Sequence, residues 1–397
     1  MKMRTLGLGA LVTCSLTLAA CGQAADNSAN SGGGDSANTG AVTITDVKGR
    51  EVTFDEQPER IIMGEGRGLF ATSILNKDNP IDNVVAMGSD LTSAAPSFKE
   101  KLEEAVPAVK DLPEIGNMAK GDVTVENLLS FEPDALVMTA DHYDAVSTTG
   151  MLDKLDDAGI KYVVTDFRQH PLTNTTTSVE ILGELFGKQE EAEKFSKDWT
   201  ETVDRVKERV KDLKDEDRPT GFVWRAPGQK DCCGTMSDAG LGEYFTAAGG
   251  HNIGEDILDT EFGDVTAEKI IAENPEVIIA TGGSWKPKKE KKQAIPHVEL
   301  GYAAEEAPAR EQLVNLMEPN GFDELDAYKE DNLYAVWHQF YDSPMNFLAL
   351  EQFAKWLHPD LFKDVDVQKH WETAHEEYMP FPASGTFFVS QHGDQKS

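Results

Sequence analysis

The sequence predicts an α/β protein of two mainly parallel-sheet lobes, joined by one long connecting helix, with a ligand cleft between the lobes. Short apolar runs recur between helical segments in both halves of the chain, which is the βαβ signature of a parallel sheet. A single amphipathic stretch of unusual length separates the halves. Arginine, histidine and aromatic residues fall just after the apolar runs, where open parallel sheets gather their ligands.

The first residues stand apart from that body. Lys2 and Arg4 precede an apolar run over 6–20 that closes on Leu18-Ala19-Ala20-Cys21. The run is too short to span a bilayer and ends in small residues before a cysteine, so 1–20 is read as a lipoprotein signal and Cys21 as the lipidated first residue. An ordinary export signal that contains cysteines is the alternative. Residues 21–40 are mostly Ala, Asn, Ser, Gly and Asp, without an aromatic residue, and bury too little to fold. They read as a flexible tether with an end-to-end distance on the order of 25 Å. The expected location is the extracytoplasmic face of the cell membrane, held by a lipid anchor.

An N-terminal lobe is expected over 41–172. Strands at 42–44 and 52–54 flank Lys48-Gly49 as a hairpin, followed by strands at 61–63, 84–87, 135–138 and 162–165 with helices such as 124–131 and 151–158. The connecting segment is 173–215, where Phe195, Trp199, Val203, Val206, Val210 and Leu213 recur at spacings of four and three. Its charged residues form a solvated outer face. About 40 helical residues would run ~60 Å, and Gly187 offers a break. A C-terminal lobe over 216–397 repeats the alternation, with strands at 220–224, 277–280 and 333–336 and helices at 241–248, 266–273 and 345–357.

Composition removes several function classes. With 70 acidic against 37 basic residues and a net charge of −33, nucleic acid and anionic lipid surfaces are excluded as partners. The basic run 286–292 is interrupted by Pro287 and Glu290 and reads as a solvated loop. Of four cysteines, Cys14 is cleaved away with the signal and Cys21 is lipidated, leaving Cys232-Cys233. That pair closes no useful loop and lacks CxxC spacing, so a structural or ligand-facing disulfide is preferred to a redox centre. An extracytoplasmic redox protein using Cys232 and Cys233 is kept as the alternative from another class. Gly64-Glu65-Gly66-Arg67-Gly68 lacks the third glycine of a dinucleotide fingerprint, and no GxxxxGK[ST], HExxH or GxSxG run occurs, so no catalytic residues and no enzyme are expected. His370 and His375 lie five apart, off a common helix face, and read as surface residues. The histidines have no tight ligand spacing, and no metal site is expected.

The candidate ligand-binding residues are those that follow the strands. They are Arg67, His142, Tyr143 and Arg168 in the first lobe, and Trp224, Arg225, Trp285, Trp337, His338 and Tyr341 in the second. Three arginines at strand ends in so acidic a chain suggest a cleft for an anionic ligand with flat, polarisable parts.

In order, Asp46-Val47-Lys48-Gly49-Arg50, Pro58-Glu59-Arg60-Ile61-Ile62, Ile115-Gly116, Val125-Glu126-Asn127-Leu128-Leu129 and Glu132-Pro133-Asp134-Ala135-Leu136-Val137 resemble the helical-backbone class of ABC-transporter substrate-binding proteins, which serves ferric siderophores, haem, cobalamin and some metals. The similarity continues through residues 155–160 and the long helix. It resumes at Val265-Thr266-Ala267-Glu268-Lys269-Ile270-Ile271, Asn274-Pro275-Glu276-Val277-Ile278-Ile279 and Ala354-Lys355-Trp356-Leu357-His358-Pro359. The resemblance implies an importer component without an intrinsic cofactor, whose partners are an ABC permease and its cytoplasmic ATPase and whose ligand is a ferric siderophore. It also implies that Glu126 and Glu268, one per lobe, dock on arginines of the permease, although a glutamate in a first helical turn also simply stabilises the helix dipole. Haem or another metal complex is the alternative ligand, with His142, Tyr143, His338 and Tyr341 as candidate axial ligands. The chain departs from simpler members in the Cys232-Cys233 insert, the 285–298 loop and the tail through 381–387.

Overall fold

The computed structural model describes residues 40–229, 232–287, 289–290 and 293–393. The signal 1–20, Cys21 and all but the last residue of the tether lie outside them.

The opening hairpin pairs Val42–Thr45 with Glu51–Phe54. Its turn is fixed by Asp46, whose buried carboxylate accepts the backbone N–H groups of Lys48 and Arg50 and also that of Val164, clamping the hairpin to the first sheet. That sheet runs Val84–Met87, Ile61–Met63, Ala135–Thr139, Tyr162–Thr165, all parallel. The second runs Phe388–Ser390, Leu333–Trp337, Val277–Gly282, Thr220–Trp224, His251–Asn252, parallel except for the antiparallel edge strand Phe388–Ser390. The inner strands are buried on both faces, which is why they read as unbroken apolar runs and not as alternating ones.

One short unit occurs in both lobes. Thr124 and Thr266 cap the helices Val125–Leu129 and Ala267–Glu273 by accepting the N–H of Asn127 and Lys269. A left-handed residue followed by proline comes after each helix, Glu132 (φ 47°) three residues past Leu129 and Asn274 (φ 45°) directly after Glu273. Asp134 and Glu276 then hold backbone N–H groups at the start of the neighbouring strand, Glu59 and Arg60 in one lobe and Thr220 in the other.

The connection between the lobes is helical but broken at Gly187. Pro171–Phe186 ends on this glycine in the left-handed region (φ 65°), and Gln189–Val210 begins two residues later. The two helices pack on each other so closely that a Cβ on Gly183 would stand 2.5 Å from the Cβ of Ala192. A buried polar chain ties both to the second lobe, because Trp199 donates to Asn346 (2.7 Å) and Asn346 donates to Thr175 (2.8 Å). Arg205 and His370 both pair with buried Glu351.

The lobes also meet directly through aromatic side chains. Phe70 and Phe98 of the first lobe pack on Trp337, Tyr302 and Phe381 of the second, with ring centroids 5.7–5.8 Å apart. The tail is therefore part of the joint. Phe381 and Phe387 both pack on Tyr302, and Gly301 bridges to Thr386. His375, expected on the surface, is fully buried, since Tyr302 and Trp371 supply hydrogen-bond partners to both ring nitrogens.

Candidate ligand-binding site

The loop Gly64 to Gly68 leaves the strand Ile61–Met63 at a point where backbone approaches backbone. A Cβ on Gly64 would meet the Val137 carbonyl at 2.6 Å, and one on Gly66 the Gly88 carbonyl at 2.6 Å. The glycines thus serve close packing, and they seat Glu65 and Arg67 facing the second lobe.

Arg67 and Arg168 form the centre of a buried charge cluster. Arg67 pairs with Glu65, with Asp90 (2.8 Å) and, across the lobes, with Asp342 (3.1 Å), and also donates to the Tyr341 hydroxyl (2.5 Å). Arg168 grips both oxygens of Glu65 (2.7 and 2.8 Å), Asp141 (2.5 Å) and Asp342 (2.9 Å). Burial pushes the Glu65 carboxyl up, but Arg168, Arg67 and His142 overcome this and hold it at about 2. For Asp342 burial wins over both arginines, helped by Glu65 and Asp141, and lifts the carboxyl to about 6. Arg67 and Arg168 themselves are raised well above their ordinary range, because Asp342 and Glu65 outweigh their burial.

On the second lobe His338 accepts or donates at Thr281 Oγ1 (2.8 Å) and lies against Tyr341 and Trp285, with ring centroids 4.5 and 5.2 Å away. Burial, then Arg225, Arg67 and Arg168, push its pKa well down, so it is neutral at physiological pH. Arg225 leaves the strand Thr220–Trp224 with its guanidinium 5.2 Å from the ring of Phe262. A cavity of about 20 Å³ between the strand ends is lined by Glu65, Arg67, Thr139, Thr165 and Asp342 among others, which is room for one water.

Seven candidate residues, Arg67, His142, Arg168, Arg225, Trp285, His338 and Tyr341, thus lie at the strand ends that face each other. Three do not. Trp224 is core, stacked on Phe222 and edge-on to Phe322. Trp337 belongs to the aromatic joint. Tyr143 turns to the opening hairpin, beside Tyr162 and under the cations of Lys48 and Arg50. The expectation of a free cationic cleft is corrected as well, because the arginines are matched by carboxylates. Glu65, Asp90, Asp141 and Asp342 were missed by the sequence reading. For Glu65, Asp141 and Asp342 the only signal was a place beside a residue already chosen, Arg67, His142 and Tyr341, whereas Asp90 had no such neighbour.

Buried polar atoms without partners mark the same place. Among the described residues they belong to Gln57, Thr72, Thr139, Asp141, His142, Arg168, Ser196, Arg225, Tyr244, Trp285, Arg310, Asp342 and Gln391. Thr139, Asp141, His142, Arg168, Arg225, Trp285 and Asp342 all sit at or just past the carboxyl end of a sheet strand. Each such orphan costs about 1–3 kcal/mol, and their concentration on facing strand ends is what a polar ligand between the lobes would relieve. Among the described residues no group of three or more His, Cys, Asp or Glu is placed to hold a metal ion. Cys232 and Cys233 are joined to each other, and the backbone of Cys233 pairs with Val265.

Away from the cleft, Glu126 and Glu268 are fully exposed. Each carboxyl is held below its ordinary range by its own helix N-terminal N–H and by the hydroxyl of the capping threonine. Three residues on, Leu129 and Ile271 are each 44% exposed, so both lobes show an acid and an aliphatic side chain on equivalent helices.

Two parallel-sheet lobes joined by helices, with a polar site at facing strand ends, define a substrate-binding protein of the helical-backbone class that serves ABC importers. The chain belongs to the periplasmic binding protein family, which matches residues 81–335. The uncharacterized ABC transporter substrate-binding lipoprotein YvrC of Bacillus subtilis (strain 168) is 23% identical over 367 residues, covering 92% of this chain and 100% of that protein. The TroA-like periplasmic binding protein FepB from Veillonella parvula is similar at 25% identity with a TM-score of 0.78, covering 88% of this chain and 99% of the other. Haemophilus influenzae MolA, solved with molybdate, shares the fold at 18% identity and a TM-score of 0.64, over 86% of this chain and 99% of its own. Proteins of this class act on the extracytoplasmic side with a permease and an ATPase as partners. No helix among the described residues is long and apolar enough to cross a membrane.

Proposed function

We propose that this protein captures a ferric siderophore between its lobes and delivers it to the permease of an ABC importer, without acting on it chemically and while anchored by a lipid at Cys21. The reading is carried by the strand-end residues Thr139, Asp141, His142, Arg168, Arg225 and Trp285, whose buried polar atoms lack hydrogen-bond partners. They form a site that wants a polar ligand contacting both lobes at once. A chelate needs a pocket of several hundred Å³, so the lobes must part to admit it from the closed arrangement with its 20 Å³ cavity. Glu126 and Glu268 are the docking acids of this reading, and their exposure on matched helices supports a two-point contact that fixes register on the permease.

The test is a tryptophan-fluorescence titration of the mature protein with ferric hydroxamates, ferric catecholates, ferric citrate and haem. Trp285, at the cleft against His338, is the reporter, whereas Trp224 and Trp337 are core. Saturable quenching by an iron chelate that disappears in Trp285→Phe is the expected result. Selective binding of haem, or silence across all iron chelates, would overturn the reading.

A further inference from the structure

We propose that the cleft is built for an iron chelate of zero or positive net charge and disfavours strongly anionic chelates, with Asp342 as a residue that sets this preference. The proposal rests on the strand-end site being the chelate site. Two guanidiniums there, Arg67 and Arg168, are surrounded by four carboxylates, Glu65, Asp90, Asp141 and Asp342, all in direct ion pairs. Adding Arg225 still leaves the acids in excess. The pairing also consumes donors. Arg67 spends Nε on Asp90, one terminal nitrogen on Glu65 and the other on Tyr341 and Gln339. Arg168 spends both terminal nitrogens on Asp141, Glu65 and Asp342 and keeps Nε alone.

What remains for a ligand is mixed. Asp141 Oδ1 is a buried acceptor without a hydrogen bond, Asp342 Oδ2 is engaged by Arg67 at 3.1 Å, and Arg168 Nε and Arg225 Nε are buried donors without a hydrogen-bond partner. Trp285 Nε1 is a neutral donor, and Thr139 Oγ1 and His142 Nδ1 serve in either role. His142 and Trp285 are 2% and 6% exposed, so these atoms are desolvated already and have no alternative partner in water. Such a set suits amide and hydroxamate groups, which offer donors and acceptors without net charge. Three hydroxamate monoanions neutralise Fe(III), whereas three catecholate dianions leave a trianion facing the surplus carboxylates in a low-dielectric site. The whole-chain charge of −33 acts in the same direction at long range. Asp342 is decisive because it comes from the second lobe and bridges both arginines of the first, 3.1 Å from Arg67 and 2.9 Å from Arg168. An anionic chelate reaching those arginines has to displace it.

The experiment compares Kd for a neutral cyclic trishydroxamate Fe(III) complex, a cationic linear one and a triscatecholate Fe(III) complex, on the wild type and on Asp342→Asn. The hydroxamate complexes are expected to bind at least tenfold tighter than the trianion, and Asp342→Asn to narrow that gap at least fivefold by improving trianion binding. Tighter binding of the trianion by the wild type would overturn the proposal while leaving iron-chelate capture intact. An unchanged gap in a folded Asp342→Asn protein would remove Asp342 from its role. If no chelate binds, the reading beneath it fails and the proposal with it.

Discussion

At the scale of single residues, Arg67 is held by its surroundings and holds them in turn. Removing it leaves Glu65 and Asp342 buried beside Arg168 alone, and deprives buried Asp90 of its guanidinium. Arg67→Ala should therefore destabilise the protein by about 3–5 kcal/mol, read as a shift of the denaturant midpoint, and Arg67→Ala with Asp342→Ala should recover part of that loss. Asp342 gives a pH signature. Its folded pKa of about 6 lies above the ordinary 3.8, so folding takes up a proton and stability falls as pH rises between those values. The slope is at most about 1.4 kcal/mol per pH unit. Glu65, held at about 2 against an ordinary 4.5, acts oppositely, and its contribution is lost as pH falls below 4.5. A thermal-stability profile should thus decline from about pH 4.5 to 6, and Asp342→Asn should flatten that stretch. The arginines were legible in the sequence because a cation after an apolar strand stands out in an acidic chain. Their carboxylate partners were not, since among 70 acids no single one is conspicuous and only folding brings Asp342 to Arg67.

At the scale of elements, the repeated unit of a short helix with a first-turn glutamate, then proline and an acid before a strand, was the most readable part of the chain. Capping, dipole and proline rules act locally and need no tertiary partner. The function assigned to it is testable without touching the cleft. Glu126→Ala with Glu268→Ala should leave chelate affinity within twofold and abolish uptake by cells, whereas normal uptake would take the docking role away from both acids. The helical connection shows the opposite limit. Gly187 marks the break in the sequence and the first helix does end there, but the stripe over 195–213 carries no sign that Gly183 packs against Ala192 and folds the segment onto itself.

At the scale of the molecule, both sheets were legible except for the edge strands His251–Asn252 and Phe388–Ser390, but the joint between the lobes was not. Aromatic residues such as Trp337 and Tyr302 read equally well as cleft or core, and only long-range packing assigns them to the joint. Phe381→Ala should cost about 3–5 kcal/mol in a denaturant titration, as for a core phenylalanine, because Phe98 and Tyr302 both lose their partner. A loss below 1 kcal/mol would show the tail to be a dispensable cap. The joint also bears on how the chain is made. It takes Phe70 and Phe98 from the first lobe and Phe381 and Phe387 from the tail, so it closes a very long loop. A chain delivered amino end first presents those two phenylalanines before Tyr302, Trp337 and Phe381 arrive to cover them. The interval before the tail arrives is when a newly exported molecule is most exposed to aggregation.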